Sequence, residues 1–392
     1  MIERFEDRVV ISGAGQSEVS RRGGRSALAL TLDAALEAIA EAGLTTDDID
    51  GISTWPGEEY MDPGLAGPGI PTMIESLRLR VNYSSGGPEG FGQMTAFVNA
   101  AMAVATGLSN HVLVYRTVTE GSAQGTGGRK PIGSEGRVTG QARWSLPFGG
   151  LSAANWLAMF AQRHMATYGT TREHLAAVAV TEREHAALNP KAVYRKPLTT
   201  DEYLASRMIT TPFCLYDCDV PCDGSTAFVL SRREHEGDGA VPAVRIAALG
   251  SAVSDRPSMV RWQDMTQMAA FDAAAHMWSR TDLEPGDLDA ALLYDGFSVL
   301  PLFWLEALGI CQAGESGPFV ASGAIKLGGS LPMNTQGGQL SGGRLHGFGM
   351  LHEAVLQARG GAGKRQVAGA ETAVATIGGG SLAGCAVLTA AR

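Results

Sequence analysis

Apolar and polar positions along the chain follow two rhythms, short apolar runs of strand type and longer stripes of helical spacing. Arg8–Gly15 (RVVISGAG) is an apolar run that closes on glycine, which predicts a buried strand entering a sharp turn. Ser26–Gly43 carries Leu28, Leu32, Ala35, Leu36 and Ile39 on one face, with Ser26 placed to cap the helix and Gly43 to end it. A strand starts at Gly51–Trp55. Gly92–Gly107 (GQMTAFVNAAMAVATG) has no charged face, so it predicts a helix buried on nearly all sides. His111–Thr117 and Ser225–Ser231 are β-rich runs, and helices are predicted over Ala153–Tyr168 and Thr171–Ala187. Gly121–Gly150 shows no clear period and reads as a long loop or cap.

The second half repeats the opening. Ala243–Gly250 (AVRIAALG) is again a strand entering glycine. Without a gap, Asp33, Ala34, Ala35, Leu44, Asp48 and Asp50 of the first copy meet Asp272, Ala273, Ala274, Leu283, Asp287 and Asp289 of the second. A repeat of strand, helix, acidic turn and strand predicts a duplicated α/β unit with a buried sheet.

Composition narrows the function. Of 392 residues, 45% are hydrophobic and 18% charged, enough apolar material for a large core. Thirty-one Lys and Arg against 40 Asp and Glu leave a net charge of −9, which argues against non-specific nucleic-acid binding. No apolar stretch is long enough to span a membrane, and the charged start MIERFEDR lacks the apolar core of a secretory signal. Five cysteines in so long a chain fit free thiols in a reducing cytoplasm. Cys214, Cys218 and Cys222 lack the spacing of a metal site, so no metal is expected. His174 and His185 lie among polar residues and are expected at the surface; His276 and His352 lie on amphipathic helices and are expected to pack. The 51 glycines cluster at 85–92, 121–128, 323–349 and 378–384, as pocket-forming loops would.

Three local patterns narrow the fold. Leu292–Ala307 (LLYDGFSVLPLFWLEA) is a strand, a polar elbow and an apolar helix. Asn334–Leu356 (NTQGGQLSGGRLHGFGMLHEAVL) is a glycine-rich turn with a histidine ahead of a helix. Thr376–Leu388 (TIGGGSLAGCAVL) is a glycine loop ahead of a strand. In that order they resemble the NEAF-type elbow, the GHP-type histidine turn and the final C-x-GGG-x-G loop of thiolases. Asp217–Ser231 resembles the DG-A strand motif of the same superfamily. The resemblance covers nearly the whole chain and implies a thiolase-like five-layer αβαβα fold of two nested halves, residues 1–118 with 221–240 and residues 241–392. A cap at 119–220 is inserted between them.

The departures from that pattern carry the functional reading. A thiolase nucleophile is a cysteine at the start of the helix that corresponds to Gly92–Gly107, near Gly90. The approach here, VNYSSGGPEGFGQ, has none. The second thiolase cysteine is replaced by Thr376, and Cys385 falls inside the next strand. The histidine is retained as His346, and Tyr294 stands where the elbow asparagine would be. This combination resembles the thiolase-like aldolases of steroid side-chain degradation, the lipid-transfer (sterol-carrier-protein-type) branch. Such proteins cleave a β-hydroxyacyl-CoA by a retro-aldol step and use tyrosines as acid and base. One of their tyrosines matches Tyr294; Arg344 occupies the place of the other.

The resemblance implies that Tyr294 and His346 are catalytic. It places Arg344, Asp295, Tyr83, Ser84 and Gly378, Gly379 and Gly380 around the substrate and its coenzyme A. A phenol works as a base near neutral pH only if a cation lowers its pKa. Arg344 could supply that cation, or it could bind the CoA phosphates or a substrate carboxylate. Asp295 could orient a neighbour or cap the next helix. Gly378–Gly380 could offer backbone N–H groups to the acyl oxygen. The resemblance further implies a homodimer and an OB-fold acyl-CoA-associated partner in a heterotetramer, with no cofactor beyond the CoA of the substrate. Two alternatives stay open: an acyltransferase with an unrecognised nucleophile, and a non-catalytic homologue that binds acyl-CoA or lipid.

Overall fold

The computed structural model describes residues 4–57, 64–124, 138, 143–150, 152–255 and 264–391. The amino-terminal half comprises β1 (Val9–Gln16), α1 (Ala27–Glu41), β2 (Gly51–Thr54), α2 (Ile70–Leu77), β3 (Tyr83–Ser85), α3 (Met94–Ala105), β4 (His111–Thr119) and α4 (Glu120–Gln124). An inserted segment carries α5 (Ala153–Tyr168), α6 (Arg172–Ala187), α7 (Thr200–Leu204), β5 (Met208–Thr210) and β6 (Phe213–Cys214) before β7 (Asp223–Arg232) returns to the main sheet. The carboxyl-terminal half comprises β8 (Val244–Val253), α8 (Ala269–Trp278), β9 (Ala290–Leu292), α9 (Leu300–Ala307), α10 (Ser316–Ala321), α11 (Phe348–Ala358), β10 (Thr372–Gly378) and β11 (Leu382–Ala390).

The duplication read from the sequence is visible in the strand order β3-β2-β4-β7-β1-β8-β11-β10-β9. Going outward from the centre, β1-β7-β4-β2 in one half mirrors β8-β11-β10-β9 in the other. In each, two antiparallel pairings are followed by one parallel pairing. The halves join where Val10 and Ile11 of β1 pair with Arg245 and Val244 of β8. The symmetry reaches single residues. A Cβ on Gly15 would lie 2.1 Å from the carbonyl oxygen of Ala34, and one on Gly250 would lie 2.2 Å from that of Ala273. Ala34 and Ala273 are aligned in the repeat, so each first helix sits against its first strand at a distance only glycine permits.

Three apolar clusters set the layers. α1 and α2 cover one face of the amino-terminal strands, with Ala34, Ile39 and Met73 in one cluster with Leu113 of β4. α3 and α11 lie between the two sets of strands, with Phe97, Ala100, Phe348 and Leu351 packed on Ile11, Val114, Ile246 and Val374's neighbours Ala373 and Ala375. α8 and α9 cover the far face together with α5 and α6 of the inserted segment. The stack is therefore helix, sheet, helix, sheet, helix. α3 is buried on most sides because its residues are small and uncharged, as its sequence predicted. Ser26 caps α1 by accepting the Ala29 N–H.

Two histidines are not where their neighbours suggested. His185, on a helix rich in charge, is buried: Nδ1 lies 3.0 Å from the Met333 carbonyl and Nε2 accepts the Leu327 N–H at 3.1 Å. The glycine-rich turn covers its side of α6, a contact that local polarity does not reveal. His276 is exposed, its Nδ1 accepting the Ser251 N–H. Most of Gly121–Gly150, read as a loop or cap, lies outside the described residues.

Candidate active site

The site begins at the end of the short parallel strand β9. The chain leaves it through Leu293 into the elbow Tyr294-Asp295-Gly296. The Tyr294 N–H donates to Thr376 Oγ1 at 2.8 Å. Thr376, fully buried on β10, thus uses its hydroxyl to hold the tyrosine backbone. Asn334 ties the same strand end to the glycine-rich turn, accepting the Leu293 N–H at 2.7 Å and donating to the Leu293 carbonyl at 2.8 Å. The turn itself contains a π-type segment, Gly338–Gly342, a local geometry often found at functional sites. It carries Arg344 and His346 over the elbow.

Arg344 is almost fully buried. Its Nε and Nη2 donate to the two oxygens of Glu120 at 2.9 and 2.7 Å, and its Nη1 donates to Asp219 Oδ1 at 2.9 Å. Burial opposes the charge, but Asp219 and Glu120 outweigh it and hold the guanidinium protonated. Three of the five guanidinium N–H groups are spent on protein carboxylates, which counts against Arg344 as a ligand for CoA phosphates or a substrate carboxylate. Arg344 does act to lower the Tyr294 pKa, as expected, but not by enough to make the phenol a base. Burial, then the charge of Asp219, push the phenol above its ordinary value, and Arg344 offsets only part of that. Tyr294 is therefore a neutral phenol at physiological pH, suited to donate a proton.

His346 shares the same carboxylate. Its Nε2 lies 3.0 Å from Glu120 Oε2. Burial lowers its pKa to about 4, and the nearby Arg116 and Arg344 add to that against the pull of Glu120. Its backbone is left-handed at φ 51°, between Gly343 and Gly347, which are also at positive φ. A non-glycine residue in that region is held there by its surroundings. The structure thus brings Tyr294, His346 and Arg344 into one cluster. It adds Glu120 and Asp219, which sequence reasoning missed. The only signals were an acid at the end of the apolar run His111–Thr119 and another inside the acidic stretch 217–223.

Asp295 does not cap the next helix. It is fully buried, and its Oδ2 accepts the N–H groups of Gln339 and Leu340 at 2.7 and 3.1 Å. It works from beneath the turn as a neighbour-orienting group, which corrects its placement among substrate contacts. Glu182 of α6 lies against it and accepts from Asn334 Nδ2 at 2.8 Å. Burial, then repulsion from Asp295, push Glu182 well up; burial pushes Asp295 to about 6 against the hydrogen bond from Glu182, so the two carboxyls share a proton near neutral pH. These folded-state values exceed unfolded ones near 4, so the folded chain binds more protons. Stability contributed by the pair is whole below about pH 4 and declines as pH rises through about 6. Glu182→Gln, which offers Asp295 a donor and Asn334 an acceptor, should leave stability at pH 5 near wild type. It should raise it at pH 8, as read by guanidinium denaturation.

Gly378, Gly379 and Gly380 form the hairpin between β10 and β11. The Gly379 N–H is spent on the Leu382 carbonyl at 2.9 Å, and the carbonyls of Gly379 and Gly380 accept the first amides of α8. The Gly378 carbonyl accepts from Trp304 Nε1 at 3.0 Å. Of the three, Gly379 is removed as an oxyanion donor by its own turn; Gly380 N–H makes no backbone hydrogen bond among the described residues. Tyr83 and Ser84 lie on the edge strand β3, Tyr83 packed on the central apolar layer and Ser84 exposed. Neither lines the cavity of about 350 Å³ formed beside that strand by Thr54, Trp55, Ser85, Glu89, Thr95 and Asn99.

The nucleophile position is empty for a steric reason. Gly90 has φ 131°, and a Cβ there would lie 2.5 Å from Thr95 Oγ1. A side chain there is strained by the positive φ and requires the Thr95 side chain to give way. Cys385 is buried in β11, its Sγ 3.4 Å from the Ala273 carbonyl, and burial pushes its thiol up. The fold and this site define a thiolase-type protein whose cysteines are not placed for covalent chemistry.

Comparison with known proteins agrees. Residues 251–390 match the thiolase C-terminal domain-like family. The chain is 39% identical over 364 residues to the steroid side-chain-cleaving aldolase of Thermomonospora curvata, covering 89% of this chain and 90% of that protein. It is 35% identical over 383 residues to the 17-hydroxy-3-oxo-4-pregnene-20-carboxyl-CoA lyase of Mycobacterium tuberculosis, with coverage of 95% and 96%. A solved structure described as the Ltp2-ChsH2(DUF35) aldolase superposes with a TM-score of 0.87 at 33% identity over 98% of both chains. The chain belongs to this family of thiolase-like side-chain-cleaving aldolases.

Proposed function

We propose that this protein is a carbon–carbon lyase that cleaves a bulky, steroid-derived β-hydroxyacyl-CoA by a retro-aldol reaction into a ketone and a short acyl-CoA. The observation that carries the reading is the neutral Tyr294 phenol and the neutral His346 imidazole around one guanidinium, in a fold whose nucleophile position is taken by a glycine at positive φ. The similarity to aldolases over nine-tenths of the chain supports it.

In the mechanism, His346 takes the proton of the β-hydroxyl. The oxygen electrons form the ketone, the Cα–Cβ bond breaks, and its electron pair moves onto the thioester oxygen as an enolate. The Gly380 N–H is the donor the hairpin leaves for that oxygen. Tyr294 delivers its phenolic proton to Cα, and the proton on the imidazole returns to the phenolate. The charge of the transient imidazolium is met by Glu120. No metal or cofactor enters beyond the CoA carried by the substrate.

The partner follows the same reasoning. The structural neighbour is described as a complex with a DUF35 protein, and an OB-fold partner holding the CoA portion would account for the absence of a cationic phosphate site at Arg344. We assign this chain a homodimer flanked by two such partners, in the cytoplasm, where its free cysteines remain reduced. No helix among the described residues is long and apolar enough to cross a membrane.

The test is to co-express the chain with an OB-fold partner and supply a 17-hydroxy steroid carrying a three-carbon side chain as its CoA thioester. Mass spectrometry should show the 17-ketone and propionyl-CoA. Covalent acyl-enzyme instead of ketone would favour the acyltransferase reading, and tight CoA binding without turnover would favour a non-catalytic protein. Gly90→Cys should gain no acyl-enzyme adduct on incubation with acyl-CoA, because the backbone and Thr95 reject the new side chain; intact-protein mass reads this directly.

A further inference from the structure

Glu120 touches both Arg344 and His346 of the glycine-rich turn. It is the first residue of α4, at the end of the buried strand β4, and is 3% exposed. Its Oε2 meets Arg344 Nε at 2.9 Å and His346 Nε2 at 3.0 Å, while its Oε1 meets Arg344 Nη2 at 2.7 Å. A carboxylate that accepts a bidentate guanidinium is an acceptor toward the imidazole too. Nε2 therefore carries the ring proton and Nδ1 the lone pair. Nδ1 has no partner among the described residues. The left-handed backbone of His346 shows that the turn holds the ring in this place at a cost in strain.

We propose that Glu120 is a positioning residue for the cleavage reaction: by binding His346 Nε2–H it fixes the tautomer that presents Nδ1 to the β-hydroxyl of the substrate. This rests on the retro-aldol reading above. The hydroxyl proton passes to Nδ1 as the Cα–Cβ bond breaks, and Glu120 stays ionised throughout, stabilising the imidazolium without accepting its proton. Arg344 holds the carboxylate in register and offsets its charge. The charged and titratable groups around the ring are Glu120 from α4, Arg116 from β4, Arg344 from the same turn and the Cys222 thiol beside Gly343. Burial among them keeps the imidazole unprotonated in the resting protein, which a proton acceptor requires.

The test uses the complex with its partner and the steroid CoA thioester. Glu120→Gln has one acceptor oxygen where Arg344 and His346 present three N–H donors. Arg344 claims it, and the amide NH₂ then faces Nε2 and selects the wrong tautomer. The expected result is a fall in kcat of about 10²-fold or more with KM within about threefold. Glu120→Asp, which keeps an acceptor, should recover part of the loss. In a His346→Ala background Glu120→Gln should cause no further loss, since the effect travels through the ring. A Glu120→Gln enzyme with kcat within threefold of wild type overturns the proposal, as does full additivity with His346→Ala. Tautomers read by ¹⁵N NMR of histidine-labelled wild-type protein decide the matter without turnover, even if the variants fail to fold. A protonated Nε2 on His346 is expected, and a protonated Nδ1 overturns the assignment. Wild-type complex that releases no ketone would sink the reaction reading while leaving the tautomer result standing.

Discussion

Tyr294→Phe should abolish ketone release by about 10²–10⁴-fold while leaving the fold intact. The elbow is held through main-chain contacts, the Tyr294 N–H on Thr376 and the Leu293 amide and carbonyl on Asn334, and phenylalanine keeps all of them. What it loses is the phenolic proton. Burial and Asp219 keep that proton on the oxygen well above neutral pH, so it is available to the enolate throughout the physiological range. Rates of ketone formation by the wild-type and variant complexes, with a thermal melt of each, measure the effect. Product formation that survives the change would keep the reaction class and remove Tyr294 as its proton donor. A variant that still cleaves but accumulates enolate-derived exchange at Cα in heavy water would place the loss at the second proton transfer.

Arg344→Met should be the most destabilising single change near the site, by roughly 3–5 kcal/mol. Methionine follows the arginine stem about as far as Nε and lacks the charged fork beyond it. It leaves the buried Glu120 and the largely buried Asp219 with no guanidinium between them. A single removed partner in a buried charge cluster costs more than the cluster contributes when whole, because the remaining charges keep their desolvation penalty. Arg344→Tyr, which installs the residue the family resemblance expects there, should be destabilising for the same reason and should not raise activity. Guanidinium denaturation at pH 7 checks the stability. Repeating it at pH 5 should show a smaller difference, since protonation relieves the stranded carboxylates. Equal stability of wild type and Arg344→Met would mean that the two acids find other partners.

Much of this architecture is written in local pattern. Ser26–Gly43, Gly92–Gly107, Ala153–Tyr168 and Thr171–Ala187 show as helices because their apolar spacing or their freedom from charge is enough to say so. The repeat of Asp33–Asp50 in Asp272–Asp289 announces the doubled sheet. The elbow, the histidine turn and the glycine hairpin are short, contiguous motifs, so Tyr294, His346 and Gly378–Gly380 could be singled out by eye. The missing cysteine near Gly90 is likewise a fact of the chain itself.

What the chain order could not show is which distant groups meet. Glu120, Asp219 and Arg344 are separated by about a hundred residues or more, and each looks like an ordinary charge in its own neighbourhood. Only the closing of β4, the end of the inserted segment and the glycine turn on one another makes them a buried triad. That closure decides that Arg344 pairs with the protein's own acids, that Tyr294 holds its proton, and that His346 is neutral. Asp295 and Glu182 become a proton-sharing pair in the same way. Secondary structure follows periodicities of two to four residues and is local; the charge state of a buried group depends on every neighbour in three dimensions. Sequence therefore determined the family and the candidates, and tertiary structure assigned their chemistry.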